Sequence, residues 1–594
     1  MAWLLVGLCV TPALTRLPGY LFGDEPGGLQ GWVADWLTQP LRAAETLLQP
    51  ASDADRSGRL AWVAVQTILL VPLLPAIWPE YQSGGRMRAD PSGAHGSARW
   101  RRPRELTRTL IQTGVRSRPP AGFLAGVDRD RRPGRAWLVP GPHMRSVTNP
   151  HVLVLGGSGS GKTRRLVLPN LWLLGRAKAA GNLNSIVVTD PKGELYSYTA
   201  EYFRRLGYKV RTLNLIDPKR SDRYNPLAEV VNHLDQGDRS AAAEAVWDIA
   251  HAFASMDDDK NAHREDPFWQ NAAESIIAAS VYYVAANAPR EQRNMASVYR
   301  LITEYGKDDG SLLDLVFQSI PDLADPARTA YGVTQLSVER TRSSILTTAA
   351  VNLRLFADPT VTRMTAASDE TFTSIGQEPT VVYLLLPDDK SSRNAIAAIY
   401  LQQMYSALTR LANLSPGGRI PVPVFWVLDE FANIGKFKDF DKMISVMRGR
   451  GMAAMIILQA LQQLEARYGK ETADVITANC DTWLFLRTND HKTAEEISRK
   501  LGQYTIRTAT GNASFRQYET SGGISEQLSG RALLTPDEVL RWQQGHVLVM
   551  QAGQHPAHLR LADITEWPAR FRPGDPPPVR QDDQDPVPWL PLSG

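Results

Sequence analysis

The chain has 594 residues, 43% hydrophobic and 22% charged, which is ordinary for a folded protein and leaves several domains or one large domain carrying an insertion. A formal net charge of +4 does not by itself mark a nucleic-acid binder, since local clustering of Lys and Arg is what counts there. The two cysteines, Cys9 and Cys480, exclude a disulfide framework and a cysteine metal site and suit a reducing compartment.

Two apolar stretches open the chain. Met1 to about Leu14 reads as a first membrane span rather than a signal peptide, because no basic segment precedes its apolar run. Leu60–Trp78 carries no charge and, at about 1.5 Å per residue, reaches across a hydrocarbon core of ~30 Å. Its Pro72 and Pro75 are tolerated better in membrane helices than in soluble ones. Arg86, Arg88, Arg99, Arg101, Arg102 and Arg104 follow, so the positive-inside rule puts everything after Trp78 in the cytoplasm and residues 17–59 outside. The reading is a helical membrane anchor over residues 1–85 with two transmembrane helices. Residues 86–145, rich in Arg, Pro and Gly, read as a membrane-proximal linker with short strands.

From His151 the pattern becomes α/β. His151–Leu155, Ser185–Thr189, Val381–Leu386, Val424–Leu428 and Ala453–Leu458 are short apolar runs separated by helical spacing, the mark of buried parallel strands. Residues 146–237 and 371–567 are assigned to the two parts of a nucleotide-binding domain. Between them, residues 238–370 lose the strand signal, and Ser240–Phe253 and Phe268–Ala286 carry helical spacing, which predicts an all-α insertion. Residues 568–594 are rich in Pro and Asp, with little to bury, and read as a disordered tail in which Trp589-Leu590 is a candidate docking motif.

Gly156-Gly157-Ser158-Gly159-Ser160-Gly161-Lys162-Thr163 fits GxxxxGK[ST], with a strand before it and a helical run after it. The glycines let backbone N–H groups curl around phosphate oxygens, and the new helix adds the positive end of its dipole. Lys162 can reach the β- and γ-phosphates of ATP, and the Thr163 hydroxyl can ligate Mg²⁺. Val424-Phe425-Trp426-Val427-Leu428-Asp429-Glu430 supplies the second acidic site: Asp429 to order the metal shell, Glu430 to activate water as general base. Gln459, after the run Ala453–Leu458, is placed beside the γ-phosphate as a sensor. Arg448 and Arg450 precede that run, and either is a candidate finger toward a neighbouring subunit's nucleotide or a surface charge. Asp190-Pro191-Lys192-Gly193-Glu194 ends a strand and is either near the nucleotide or a turn. Ser521-Gly522-Gly523 is similar to the ABC-transporter signature, but it follows Asp429 and so falls in the wrong order.

Further blocks extend these motifs: His95-Gly96-Ser97-Ala98-Arg99-Trp100, Leu168-Pro169-Asn170-Leu171, Tyr224-Asn225-Pro226-Leu227, Asp266-Pro267-Phe268-Trp269, Gln459-Ala460-Leu461-Gln462-Gln463-Leu464, Asn489-Asp490 with Thr493-Ala494, and Arg531-Ala532-Leu533-Leu534-Thr535-Pro536-Asp537-Glu538. The ordered set, from His95 to Ile564, resembles the coupling-protein ATPases of type IV secretion and bacterial conjugation. The resemblance implies a RecA-like P-loop ATPase domain with an inserted all-α domain that contacts cargo, and an N-terminal anchor in the bacterial inner membrane. It implies a homo-hexameric ring with ATP at subunit interfaces, which receives single-stranded DNA with its bound relaxase and passes it to type IV secretion channel proteins. An alternative within the resemblance is a receptor or docking platform for effector proteins, with ATP binding used mainly for assembly.

Overall fold

The computed structural model describes residues 88–594 apart from 129–133, 145, 147–148, 255–266, 336–338, 388–392, 517–518, 581–585 and 592–594, together with Gln30, Val33 and Ala34. The strands of the main body, in chain order, are β1 (Ile111–Gly114), β2 (Gly122–Val127), β3 (Arg135–Pro140), β4 (Val152–Gly156), β5 (Ser185–Asp190), β6 (Lys209–Asn214), β7 (Thr380–Leu385), β8 (Val424–Leu428), β9 (Met452–Leu458), β10 (Thr482–Arg487), β11 (His546–Gln551) and β12 (Ala557–Arg560). They form one 12-stranded sheet in the order β1-β3-β2-β12-β11-β10-β4-β9-β8-β5-β7-β6. From β10 to β6 every neighbouring pair is parallel, and from β11 to β1 every pair is antiparallel.

The central strands are apolar at every position because both faces are covered. In β8, Val424, Trp426 and Leu428 join the core on one face while Phe425 and Val427 join the core on the other, and all are buried. The second face is covered by α1 (Leu168–Ala179) and α2 (Glu194–Arg205), whose Leu171, Leu174, Tyr196 and Phe203 pack there. The first face carries helices from the long excursion between β6 and β7. Described elements there are all helical: α3 (Ala228–Asp235), α4 (Arg239–Ala254), α5 (Pro267–Asn287), α6 (Met295–Tyr305), α7 (Ser311–Gln318), α8 (Pro326–Gln335), α9 (Glu339–Asn352) and α10 (Pro359–Met364), with short 3₁₀ turns. β7 lies between β5 and β6, so this helical region is inserted between two adjacent parallel strands. The chain then continues through α11 (Asn394–Leu414), α12 (Phe440–Arg450), α13 (Leu461–Tyr468), α14 (Lys470–Ala478), α15 (His491–Leu501) and α16 (Pro536–Leu540).

A second unit comprises residues up to His95 and Thr505–Gly530. In it, Arg88–Ala89 pairs antiparallel with Ile506 and Arg507, and Arg507 forms an ion pair with Asp90 at 2.8 Å.

Three expectations differ from the structure. The first is the multi-pass membrane localisation, which is corrected: among the described residues no helix is long and apolar enough to cross a membrane. The two long helices, α5 and α11, each have 21 residues and spend their apolar side chains on the domain core, Ile276 and Ile277 in one and Ile399 and Met404 in the other. The stretches read as spans, Met1–Leu14 and Leu60–Trp78, lie outside the described residues. Secondly, the segment 86–145, read as a membrane-proximal linker with short strands, does hold short strands, but β1–β3 belong to the main sheet rather than to a linker. Finally, the tail is laid along the main body where it is described: Phe571 packs edge-on against Tyr202, and Trp589 lies against Tyr283. Composition alone gave it nothing to bury, but the surface it runs over supplies the partners.

Candidate functional site

Parallel α/β sheets bind ligands at the carboxyl ends of their strands. Here β4 leads into residues 156–163, β8 into Asp429 and Glu430, β9 into Gln459, and β5 ends at Asp190. β9 separates β4 from β8, with Leu458 opposite Leu155 and Ile456 opposite Leu428. The four strand ends therefore meet along one edge.

The loop is shaped as a concave cradle. Gly159 and Gly161 hold φ of +72° and +85°, a left-handed conformation that turns successive N–H groups the same way. A Cβ on Gly156 would sit 2.8 Å from Ser160 Oγ and would displace that side chain, and one on Gly161, whose backbone is left-handed, would sit 2.9 Å from Arg165 Cδ. Ser160 is buried and its Oγ has no hydrogen-bond partner, an orphaned polar atom inside the cradle. Ser158 is exposed at the tip, while Gly157, Lys162 and Thr163 are half-buried. The helix that follows opens with a π-turn over Lys162–Val167 before continuing as α1, and such turns recur at functional sites. Lys162 Nζ donates to the Gly156 carbonyl, folding the ammonium back over the loop.

Lys162 also faces the acids. Burial lowers its pKa from the usual lysine value, opposed by the charges of Asp429 and Glu430. Asp429 is 6% exposed. Burial pushes its carboxyl up to about 6, and Glu430 and Asp190 add to the rise while Lys162 and the Glu430 N–H pull it down. Glu430 N donates to Asp429 Oδ1 at 3.0 Å, and Thr189 Oγ1 donates to the Asp429 carbonyl at 2.8 Å, which fixes the strand end.

Glu430 holds φ 49° and ψ 46°, a left-handed backbone that costs a non-glycine residue about 1–3 kcal/mol. Asn433 Nδ2 donates to its Oε2 at 3.0 Å, and Gln459 Nε2 approaches its Oε1 at 3.4 Å. Gln459 N in turn donates to Gln463 Oε1 at 3.0 Å. The carboxylate is thereby aimed rather than free.

Arg448 and Arg450 are not part of this cluster. Both lie in the last turn of α12, where they complement the helix dipole, and they precede β9 while Gln459 follows it. A seven-residue strand, about 20 Å, separates them from the loop edge of their own chain. Arg448 Nη2 reaches the Ser146 carbonyl and Arg450 Nη1 the Gly418 carbonyl, each at 3.4 Å. Asp190, for which two roles stood open, caps α2: Tyr196 N donates to its Oδ2 at 2.8 Å. Burial still raises its carboxyl to about 6.

Sequence reasoning missed the residues that brace the loop from the far end of the chain. Gln544 Nε2 donates to the Gly159 carbonyl at 3.0 Å. Arg164 holds Asp563 through two hydrogen bonds of 2.9 and 3.0 Å, and Arg165 Nη1 donates to the Leu561 carbonyl at 3.1 Å. From the β10 side, Gly157 N donates to the Arg487 carbonyl at 2.8 Å. Arg531–Glu538 was the available signal: Arg531 pairs with Glu538 at 2.7 Å, Glu538 closes a capping box with Thr535, and the resulting α16 leads directly to Gln544.

Three of the remaining blocks have structural work, and Asp266 of another lies outside the described residues. Asn170 Oδ1 accepts from Leu124 N at 2.7 Å, joining α1 to β2. Asn225 Nδ2 donates to the Arg293 carbonyl at 2.7 Å, and Asp490 caps α15 through Thr493 N at 2.7 Å.

A sequence model of the family described as Type IV secretory system Conjugative DNA transfer matches residues 108–562. Protein VirD4 of Rhizobium rhizogenes is 24% identical over 475 residues, which cover 78% of this chain and 65% of that protein. The chain therefore spans just under two thirds of that relative. Conjugal transfer protein TraG of Escherichia coli is 27% identical over 489 residues, covering 75% of this chain and 71% of its own. Among solved structures, the bacterial conjugative coupling protein TrwBdeltaN70 in its unbound monoclinic form superposes with a TM-score of 0.54 at 17% identity, over 83% of this chain and 100% of the other. TrwB in complex with the non-hydrolysable ATP analogue ADPNP gives 0.54 at 17% identity, over 82% and 99%. At such identity the likeness shows the fold, a RecA-like P-loop α/β domain.

Proposed function

The chain belongs to the family of type IV conjugative DNA transfer coupling proteins, and on that premise we propose that it is an ATP-driven coupling protein that delivers a relaxase bound to single-stranded DNA to a type IV secretion channel. The observation that carries the reading is the pairing of the 156–163 cradle with the acids at the end of β8, whose charges act on Lys162. TrwB has been solved with an ATP analogue and with ADP and Mg²⁺, and the donors here suit the same ligands. The orphaned Ser160 Oγ and the left-handed glycines Gly159 and Gly161 fit a phosphate chain.

Among the described residues, no group of three or more His, Cys, Asp or Glu side chains could hold a metal. A hydroxyl from Thr163 and the carboxylate of Asp429 instead fit Mg²⁺, which binds with few protein ligands, several waters and substrate phosphates. When bound, Mg²⁺ neutralises charge on the β- and γ-phosphates. Gly156–Thr163 binds the phosphates through backbone N–H groups, and Lys162 adds positive charge at the terminal phosphate. Glu430, aimed by Asn433 and Gln459, takes the proton of the attacking water at its carboxylate. Gln459 reports on the terminal phosphate through the same contact.

A homo-hexameric ring accounts for Arg448 and Arg450. They lie at the opposite end of β9 from their own loop, so a role at a nucleotide requires a neighbouring copy's site.

The test is ATP hydrolysis by the purified chain with and without single-stranded DNA across a salt series. Stimulation that fades as salt rises is expected, because phosphate contacts release counterions. Hydrolysis unaffected by DNA at any salt overturns the DNA-driven reading. The Glu430→Gln variant separates a motor, which loses transfer, from a docking platform, which keeps it.

A further inference from the structure

The family match ends at Ala562, yet described residues beyond it are held against the main body. Gly574 exchanges two hydrogen bonds with Ser197: its N donates to the Ser197 carbonyl at 2.9 Å, and its carbonyl accepts from Ser197 Oγ at 3.1 Å. Arg220 Nη1 donates to the Pro577 carbonyl at 2.7 Å, and Arg580 N donates to the Lys219 carbonyl at 2.9 Å. The Arg580 guanidinium binds Asp369 with both terminal nitrogens and lies 3.8 Å from Asp222. Asp369 is already held by Arg223, whose Nε and N donate to its two oxygens at 2.9 and 2.8 Å. Arg580 is therefore an added ligand to a carboxylate that Arg223 already pairs.

Beyond it, Pro586 and Val587 line a cavity of about 1780 Å³ between β6 and the helical region, whose walls also include Arg211, Asp222, Arg223 and Asp369. Trp589 then docks on α5 and α6. Its ring lies against Tyr283 at 5.8 Å and 27°, and its N donates to Ser297 Oγ at 2.9 Å. Ser297 is fully buried, and its hydroxyl donates onward to the Gln292 carbonyl at 2.6 Å. Trp589 and Leu590 are half-buried against the main core.

Basic and acidic side chains interleave on these walls, so the cavity does not offer the one-sided charge that a nucleic acid requires. It offers the carboxylates of Asp222 and Asp369 to an arginine, while the surface on either side of it offers backbone partners at Ser197 and Lys219 and a flat aromatic site at Tyr283 to a tryptophan. We propose that this is a peptide-binding cleft for an extended, proline-rich segment carrying an arginine and a downstream tryptophan, and that the chain's own residues 571–580 and 586–590 are its intramolecular occupant. Proline holds such a segment extended before binding, so little order has to be gained on docking. Tethering gives the tail an effective concentration on the order of millimolar, which excludes a free peptide of equal chemistry until the tail is displaced.

The test uses the full chain and a fluorescent peptide with the sequence of residues 569–594, read by anisotropy without nucleotide. Failure of the ATP-driven reading therefore leaves this result untouched. The Arg580→Glu/Trp589→Ala double variant is expected to bind the peptide at least tenfold more tightly than the unaltered chain. A peptide carrying the same two replacements is expected not to bind the variant. A second protein ending at Pro568 is expected to match the double variant, its fold checked by thermal unfolding. Equal binding to the unaltered chain and the double variant, or no binding to the double variant, overturns the proposal.

Discussion

The side-chain amide of Gln459 approaches the carboxylate of Glu430 across 3.4 Å, joining the carboxyl ends of two adjacent parallel strands. One residue stands in a costly left-handed backbone, and the other is held by Gln463 behind it. A strained acid gripped by a neutral donor is the arrangement expected where a carboxylate must keep one direction.

That arrangement predicts a separation of binding from hydrolysis. Glu430→Gln keeps the shape of the side chain and removes the base, so phosphate release should fall by about 10²–10⁴-fold. Nucleotide affinity, measured by titration, should stay within about threefold. Gln459→Ala removes one positioned donor and should cost about 10² in rate. An unchanged rate in Glu430→Gln would assign the base elsewhere.

Asp429 makes the fold and the metal site respond to pH with opposite signs. Its carboxyl is raised to about 6 by burial, so the stability it contributes is full below the unfolded value near 3.8 and is lost as pH rises through about 6. Asp190, raised in the same direction and also to about 6, adds to the same window. Asp429→Asn should therefore be more stable than the unaltered chain above pH 6, by up to about 3 kcal/mol. The difference should vanish near pH 4 in chemical denaturation. Mg²⁺-dependent nucleotide binding should run the other way in the unaltered chain, weakening below pH 6 as the carboxylate takes up its proton. Parallel pH profiles for the two proteins would remove Asp429 from this role.

How far the sequence could be read follows from what each element must satisfy. β8 is buried on both faces, so Val424–Leu428 has no polar residue and its bounds are those of the apolar run. β6 lies at the sheet edge, where Lys209 and Arg211 interrupt the run in KVRTLN, and it was missed. The 156–163 loop is legible because phosphate geometry dictates glycine at set positions. Gln544 is not legible, because a single hydrogen bond to the Gly159 carbonyl imposes no local pattern and spans 385 residues. The tail misled for a related reason: its proline-rich composition reports only the core it cannot make by itself, not the surface that receives it.

The turn that carries Glu430 depends on aromatic packing behind it. Phe431 is fully buried, stacks on Phe437 and Tyr468 with centroid distances of 5.7 and 5.8 Å, and lies tilted against Phe440 at 4.7 Å. Phe431→Ala should destabilise the chain by about 3–5 kcal/mol, since the cavity left among rigid rings cannot collapse. Phe431→Leu should recover most of that stability yet not the hydrolysis rate, because Glu430 is next in sequence and its backbone would relax. Thermal unfolding and phosphate release on the two variants check this, and full activity in Phe431→Leu would detach the ring cluster from the site.

Gln544 offers the sharpest test of whether the distant end of the chain governs the loop. Its side chain is exposed and donates to the loop at the Gly159 carbonyl, so Gln544→Ala should leave the melting temperature nearly unchanged. A hydrogen bond of this type is worth about 0.5–1.5 kcal/mol, which corresponds to a loss of about two- to thirteenfold in nucleotide affinity if the bond orders the cradle. Hydrogen exchange at residues 156–163 should accelerate by a similar factor in the nucleotide-free variant. Gln544→Glu should be worse than alanine, because it replaces the donor by a carboxylate that repels both the carbonyl and the incoming phosphates. Alanine and glutamate variants that bind nucleotide as tightly as the unaltered chain would show that the cradle is set by its own glycines and by the Gly157 bond to Arg487, with the 544 loop merely lying beside it.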